Sequence, residues 1–137
     1  MKINKSDIFK KNCYWYSGRE WYTILMNIME KNKLAVIISE DKYLAHIAGL
    51  IKAASKKGGD ISLSVFITDK GVFLTENKEF ISLLKEPAGI IDNVSVCEHS
   101  CNVNGVVYRD EIFNYSSQFE NAKIINELKE NDRALLF

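Results

Sequence analysis

A short, wholly apolar run, Leu34-Ala-Val-Ile-Ile38, is followed within about 35 residues by a second β-branched run, Ile61 to Ile67, with a helical stretch between them. This arrangement limits the chain more than any other feature. An uninterrupted run of branched apolar residues suits a strand buried on both faces. Ser39-Glu40-Asp41 supplies capping and dipole-favoured residues. Leu44, Ile47, Ala48, Ile51 and Ala54 then recur with helical spacing, and Gly58-Gly59 ends the helix. Strand, helix and strand in this length make a βαβ unit, and such a unit requires a parallel sheet.

The rest of the chain continues the alternation. Asp69-Lys70-Gly71 is a turn, after which Val72-Phe73-Leu74 either closes a hairpin or begins a loop. Asn77 caps a helix carrying Phe80, Ile81 and Leu84, and Pro87 blocks its continuation. Ile90 to Cys97 is a third strand, Gly105 a turn, and Ile112 to Tyr115 a short fourth strand. Ser117 and Glu120 have capping-box spacing and open a helix with Phe119, Ile124, Ile125 and Leu128. Arg133 to Phe137 is a fifth strand. The expected fold is a three-layer α/β/α domain with a mainly parallel five-stranded sheet, plus an N-terminal helical extension.

The division falls between residues 1–32, the extension, and residues 33–137, the domain. Formal net charge is zero, but residues 1–33 hold seven Lys/Arg against three Asp/Glu, while residues 34–137 hold eleven against fifteen. In the extension, Ser17 and Glu20 form a capping box, and Trp21, Ile24, Leu25, Ile28 and Met29 make an apolar stripe that Asn32 would stop. Cys13-Tyr14-Trp15-Tyr16 precedes it. Lysines beside aromatic rings could stack on nucleic acid. Packing against the domain or a second subunit is the preferred reading, because aromatics dominate cores and interfaces.

Balanced charge argues against bulk nucleic-acid binding, and 47% apolar with 26% charged residues excludes a disordered chain. No run approaches the ~18 apolar residues of a membrane span, and Met1 to Lys5 is followed by no apolar signal core. Three cysteines without scaffold spacing suggest free thiols and a cytoplasmic location.

Sites in open α/β sheets lie beyond the carboxyl ends of strands. Three loops qualify: Ser39–Tyr43, Thr68–Phe73 and Cys97–Gly105. The last contains Cys97-Glu98-His99-Ser100-Cys101. A cysteine where a strand enters a turn or helix start has a lowered thiol pKa, and a thiolate is a nucleophile that can carry covalent sulfur. Against this stand three other readings. C-x-H-x-C offers three zinc ligands but lacks the usual fourth. Cys97 and Cys101 lack the C-x-x-C spacing of redox pairs. A buried cysteine is often a small, inert core residue. His99 is either a base for Cys97 or a solvated loop histidine, and His46 is a packed or surface residue of its helix. No phosphate loop, Ser-His-Asp set or metalloprotease helix is present, so neither cofactor nor metal is expected.

Four segments together resemble the DsrE/DsrF family of small sulfur-relay proteins, including its TusD-like subunits. They are Leu34–Ser39 with the Ala-rich helix and Gly58-Gly59-Asp60-Ile61-Ser62-Leu63; Phe66-Ile67-Thr68-Asp69-Lys70-Gly71-Val72-Phe73-Leu74; Val94-Ser95-Val96-Cys97 with Gly105 eight residues later; and Asp132-Arg133-Ala134-Leu135-Leu136-Phe137. The resemblance covers roughly residues 33–137. It implies a parallel α/β/α fold that leaves the sheet after Gly71, and homo-oligomers or hetero-oligomers with related subunits. It also implies that Cys97 accepts sulfane sulfur as a persulfide from a donor protein and passes it to an acceptor. On this view Gly71 and Gly105 shape the surrounding loops, His99 and Ser100 hydrogen-bond the outer sulfur, and Cys101 is near but dispensable. The extension is outside the family pattern, and Asn102-Val103-Asn104 replaces the basic residues common in TusD-like members. The expectation is a cytoplasmic sulfur carrier whose Cys97 sulfur is accessible at the strand end and not held in a disulfide with Cys101. The rival is a non-catalytic interaction or structural subunit of the same fold.

Overall fold

The computed structural model describes residues 32–86, 89–108 and 111–137. The expected N-terminal helix and the helix stop at Pro87 lie outside the described residues. Strand β1 (Asn32–Ile38) opens the described chain. Its first residue, Asn32, pairs in register with Ile61.

Helix α1 (Leu44–Lys57) buries Ile47, Ile51 and Ala54, three of the five residues of the expected stripe. A 3-10 turn over Gly58–Asp60 leads into β2 (Ile61–Ile67). The ambiguous segment after Thr68 is a 3-10 helix over Asp69–Glu76, so the chain leaves the sheet and no hairpin forms. Helix α2 (Lys78–Lys85) starts where Asn77 Oδ1 accepts from the Phe80 amide at 3.0 Å, the expected cap. Strand β3 (Ile91–Cys97) runs directly into α3 (Glu98–Asn104). Strand β4 is Asn114–Ser116, later and shorter than the expected Ile112–Tyr115. Helix α4 (Phe119–Asn126) and β5 (Arg133–Leu136) complete the domain.

The sheet order is β4-β3-β2-β1-β5 and every pairing is parallel. The connections from β1 to β4 all step one way, and right-handed crossovers then put their helices on one face. The connection through α4 returns across the sheet to β5, which sends α4 to the other face. Burial follows this topology. Val36, Ile38, Leu63, Val65, Ile67, Val94 and Val96 join α1 and α2 residues such as Ile47, Phe80 and Leu83 in a large core. Each such side chain, fully removed from water, contributes roughly 1.5–3 kcal/mol. Under α4 the cluster is small: Ala35, Ile37, Phe66, Cys97 and Ile124.

The expected α4 stripe is corrected here. Ile124 is buried and Leu128 packs at the edge, but Phe119 and Ile125 are exposed, because a single helix meets this face along one narrow line. The capping box does not form either. Gln118 occupies the N-cap without a side-chain cap bond, and Ser117 Oγ accepts from the Phe119 amide at 3.3 Å.

Edge strand β5 is tied at both ends. Asp132 accepts from the amides of Lys33 at 2.7 Å and Lys129 at 2.8 Å. Partial burial pushes its carboxyl up, but these two bonds, with the charges of Lys33 and Lys129, hold it below the usual range. At the far end the Phe137 carbonyl accepts from the amide and hydroxyl of Ser39. Among the described residues no helix is long and apolar enough to cross a membrane.

Candidate functional site: a capped thiol at the carboxyl end of the sheet

Two of the three expected loops meet at the carboxyl ends of β2 and β3, and the start of α4 joins them. Alternation along β3 directs Asn93, Ser95 and Cys97 to the α4 face and Val94 and Val96 to the large core. Cys97 is both the last residue of β3 and the N-cap of α3, so its side chain stands where the backbone turns.

The sulfur is ringed by neutral donors. The Ser100 amide donates to Cys97 Sγ at 3.4 Å, and so does Gln118 Nε2, also at 3.4 Å. Gln118 Nε2 also reaches Thr68 Oγ1 at 2.7 Å, and Thr68 Oγ1 lies 3.2 Å from Ser100 Oγ. The Asp69 amide donates to Ser100 Oγ at 2.9 Å. Each hydroxyl thus accepts from an N–H donor, and one of the two donates to the other across the 3.2 Å contact, which leaves one hydroxyl proton for the sulfur. Such chains of donors polarise one another. Burial is the largest influence on the thiol and raises its pKa, but hydrogen bonding from Ser100 (side chain and amide), Gln118 and Thr68 together outweighs it, so Cys97 titrates below its usual value.

The loops are held by backbone devices. A Cβ on Gly71 would stand 2.5 Å from the Ile38 carbonyl oxygen, so only glycine lets the 3-10 segment press against the end of β1. The Gly71 amide also donates to the carbonyls of Ser39 and Thr68. Asp69 itself has φ 48°, an uncommon left-handed conformation, at the point where its amide donates to Ser100 Oγ. Gly105 ends α3 at φ 69°. Asn104 Nδ2 joins α3 to this loop, donating to the carbonyls of Ser100 at 2.8 Å and Asp69 at 3.4 Å.

Cys101, one turn beyond Cys97, belongs to the other face. It is fully buried in the large core, and burial, followed by the charges of Cys97, Glu98 and Glu76, pushes its thiol up to about 11. Both thiols are free. His99 is exposed on the first turn of α3, and the donors that reach the sulfur come from Ser100, Gln118 and Thr68. Cys97, His99 and Cys101 therefore occupy three different surroundings, and among the described residues no group of three His, Cys, Asp or Glu converges as metal ligands.

One expectation is overturned. Cys97 was to present an accessible sulfur, yet it is 0% exposed. The start of α4 lies over the strand end, and the Gln118 carboxamide sits against the thiol. Gln118 is also the residue that the sequence reading missed. The loop after β4 ends at the same sheet edge as the three loops considered, and the carboxyl-end rule applied to β4 would have reached it.

No family model and no curated protein matches the sequence. The backbone is similar to the crystal structure of the ychN protein from E. coli, with a TM-score of 0.58 at 11% identity over 79% of this chain and 100% of that one. At that identity the likeness concerns the fold alone: the described domain has the fold of that protein.

Proposed function

We propose that this chain is a sulfur carrier that holds sulfane sulfur on Cys97 as a persulfide, taking it from one partner and passing it to another. The observation that carries this reading is the convergence on one sulfur of donors from three separate segments: Ser100, Gln118 and Thr68. An inert core cysteine has no use for such a set, whereas an anionic sulfur does. The donors are neutral, so they stabilise a thiolate or persulfide anion without trapping it in an ion pair.

The chemistry balances without an outside oxidant. The Cys97 thiolate attacks the outer sulfur of a donor persulfide, R–S–SH. A bond forms between Sγ and that sulfur, the donor S–S bond breaks, and its electron pair leaves on the donor as R–S⁻. The product is Cys97–S–SH. Discharge to an acceptor thiolate is the same step in reverse. Cytoplasmic location and assembly with copies of itself or related subunits complete the proposal.

The full burial of Cys97 favours the rival, a structural subunit with a covered thiol. Mass spectrometry after incubation with a persulfide donor separates the two. The carrier gains one sulfur, about +32 Da, on the peptide containing Cys97. Cys97→Ser abolishes the adduct and Cys101→Ser retains it. Equal loading of wild type and Cys97→Ser removes the carrier reading.

A further inference from the structure

We propose that Gln118 is the gate of the Cys97 site: its carboxamide covers the thiol in the resting protein and must swing aside before a sulfur donor can reach it. This rests on the assignment of Cys97 as the sulfur-carrying residue. Three observations support it. Cys97 has no exposed surface, while Gln118, 3.4 Å from its sulfur, is itself exposed. The cover is therefore one side chain deep at this point, and it belongs to a long, rotatable residue. Gln118 also precedes α4 without capping it, so its side chain is not committed to holding the helix.

The third observation concerns polar atoms. Among the described residues, the buried side-chain atoms left without a hydrogen-bond partner are Ser116 Oγ and Asn121 Oδ1, and both lie around this gate. Ser116 is the register partner of Cys97, so its side chain leaves the sheet on the same face. Asn121 is three residues beyond Gln118, the spacing at which helical side chains meet. Buried polar groups without partners are rare and call for an explanation. Here they complete a second arrangement. Once Gln118 leaves the sulfur, its amide has an acceptor in Asn121 Oδ1, and the Ser116 hydroxyl can donate to a sulfur added on Cys97.

Iodoacetamide alkylation of the full chain, read peptide by peptide by mass spectrometry, tests the gate. The rate is measured at about pH 10, where thiolate fraction no longer limits Cys97. Opening breaks the two hydrogen bonds of Gln118, each of modest strength, so Gln118→Ala should raise the Cys97 rate about tenfold. Gln118→Asn, too short to reach the sulfur, should do the same, while Cys101 stays slow in both. An unchanged Cys97 rate in both variants overturns the gate. So does an equal rise at Cys101, which would mean that the whole domain had loosened. Because the readout is alkylation, a failure of sulfur loading in wild type would remove the carrier function without touching this result.

Discussion

The two faces of the sheet are built from alternate residues of the same strands, yet they differ in kind. The face under α1 and α2 takes Leu63, Val65 and Ile67 from β2 and Val94 and Val96 from β3. The face under α4 takes Ser62, Ser64 and Phe66, then Asn93, Ser95 and Cys97, from those strands. The first is close-packed and aliphatic. The second is small, partly polar and covered along one line. Cys97 and Cys101 make the contrast a matter of chemistry. They are four residues apart, but one sits among hydrogen-bond donors on the thin face and the other in the aliphatic core, and their thiols shift in opposite directions. On the proposed function, stability resides on one face and reactivity on the other, because a group that must change charge needs donors that a close-packed core cannot supply.

Several substitutions would sharpen or break this division, from the largest effect down. Leu63→Ala, at a fully buried position of the large core, should cost about 4 kcal/mol in denaturant unfolding, and Ile124→Ala under α4 about 2 kcal/mol. Equal costs would show that the two faces hold the domain equally. Gly71→Ala should cost about 3 kcal/mol, because its Cβ meets backbone that cannot give way, whereas Gly105→Ala, with open space around it, pays only the left-handed backbone penalty of about 1 kcal/mol.

A pH series separates the thiols. The folded-state pKa of Cys101 is raised, so its contribution is fully present below the ordinary thiol value and is lost as pH climbs through about 11. Wild type should lose about 2 kcal/mol more than Cys101→Ala over that alkaline interval, read from urea midpoints. Cys97 has the opposite sign. Its pKa is lowered, so its contribution is present above the ordinary thiol value and is lost as pH falls through the lower folded value. Its alkylation midpoint should lie below that of an ordinary thiol, and a midpoint at or above it would break the contrast. The smallest effect is expected at Phe119→Ser, an exposed position where stability should change by less than about 0.5 kcal/mol. A large loss there would mean that Phe119 is covered in the assembled protein.

Much of this architecture was legible along the chain. The runs at Leu34–Ile38 and Ile61–Ile67, the Asn77 cap and the strand ending at Cys97 follow from local periodicity and turn chemistry. Local signals also misled, and in a consistent direction. Ser117 and Glu120 have capping-box spacing, but Ser117 accepts from Phe119 and Gln118 takes the N-cap. Ile125 fits the α4 stripe but stays exposed, because the tertiary face it would meet is narrow. The polar residues alternating through the strands, Ser62 and Ser64 in Ile61–Ile67 and Asn93 and Ser95 in Ile91–Cys97, were visible, but which face they would occupy depended on where α4 crossed.

What the sequence by itself determined is the alternation of strands and helices, the parallel sheet and the position of Cys97 at a strand end, since each depends on residues within a few positions of one another. Only the tertiary structure decided that β5 would return beside β1, that α4 would cover the Cys97 face alone, and that Thr68, Ser100 and Gln118 would converge on one sulfur. Those contacts span 32 and 50 residues between Thr68 and its partners and 21 between Cys97 and Gln118. No local pattern encodes them, because they exist only once the crossovers have brought separate strand ends to the same edge of the sheet.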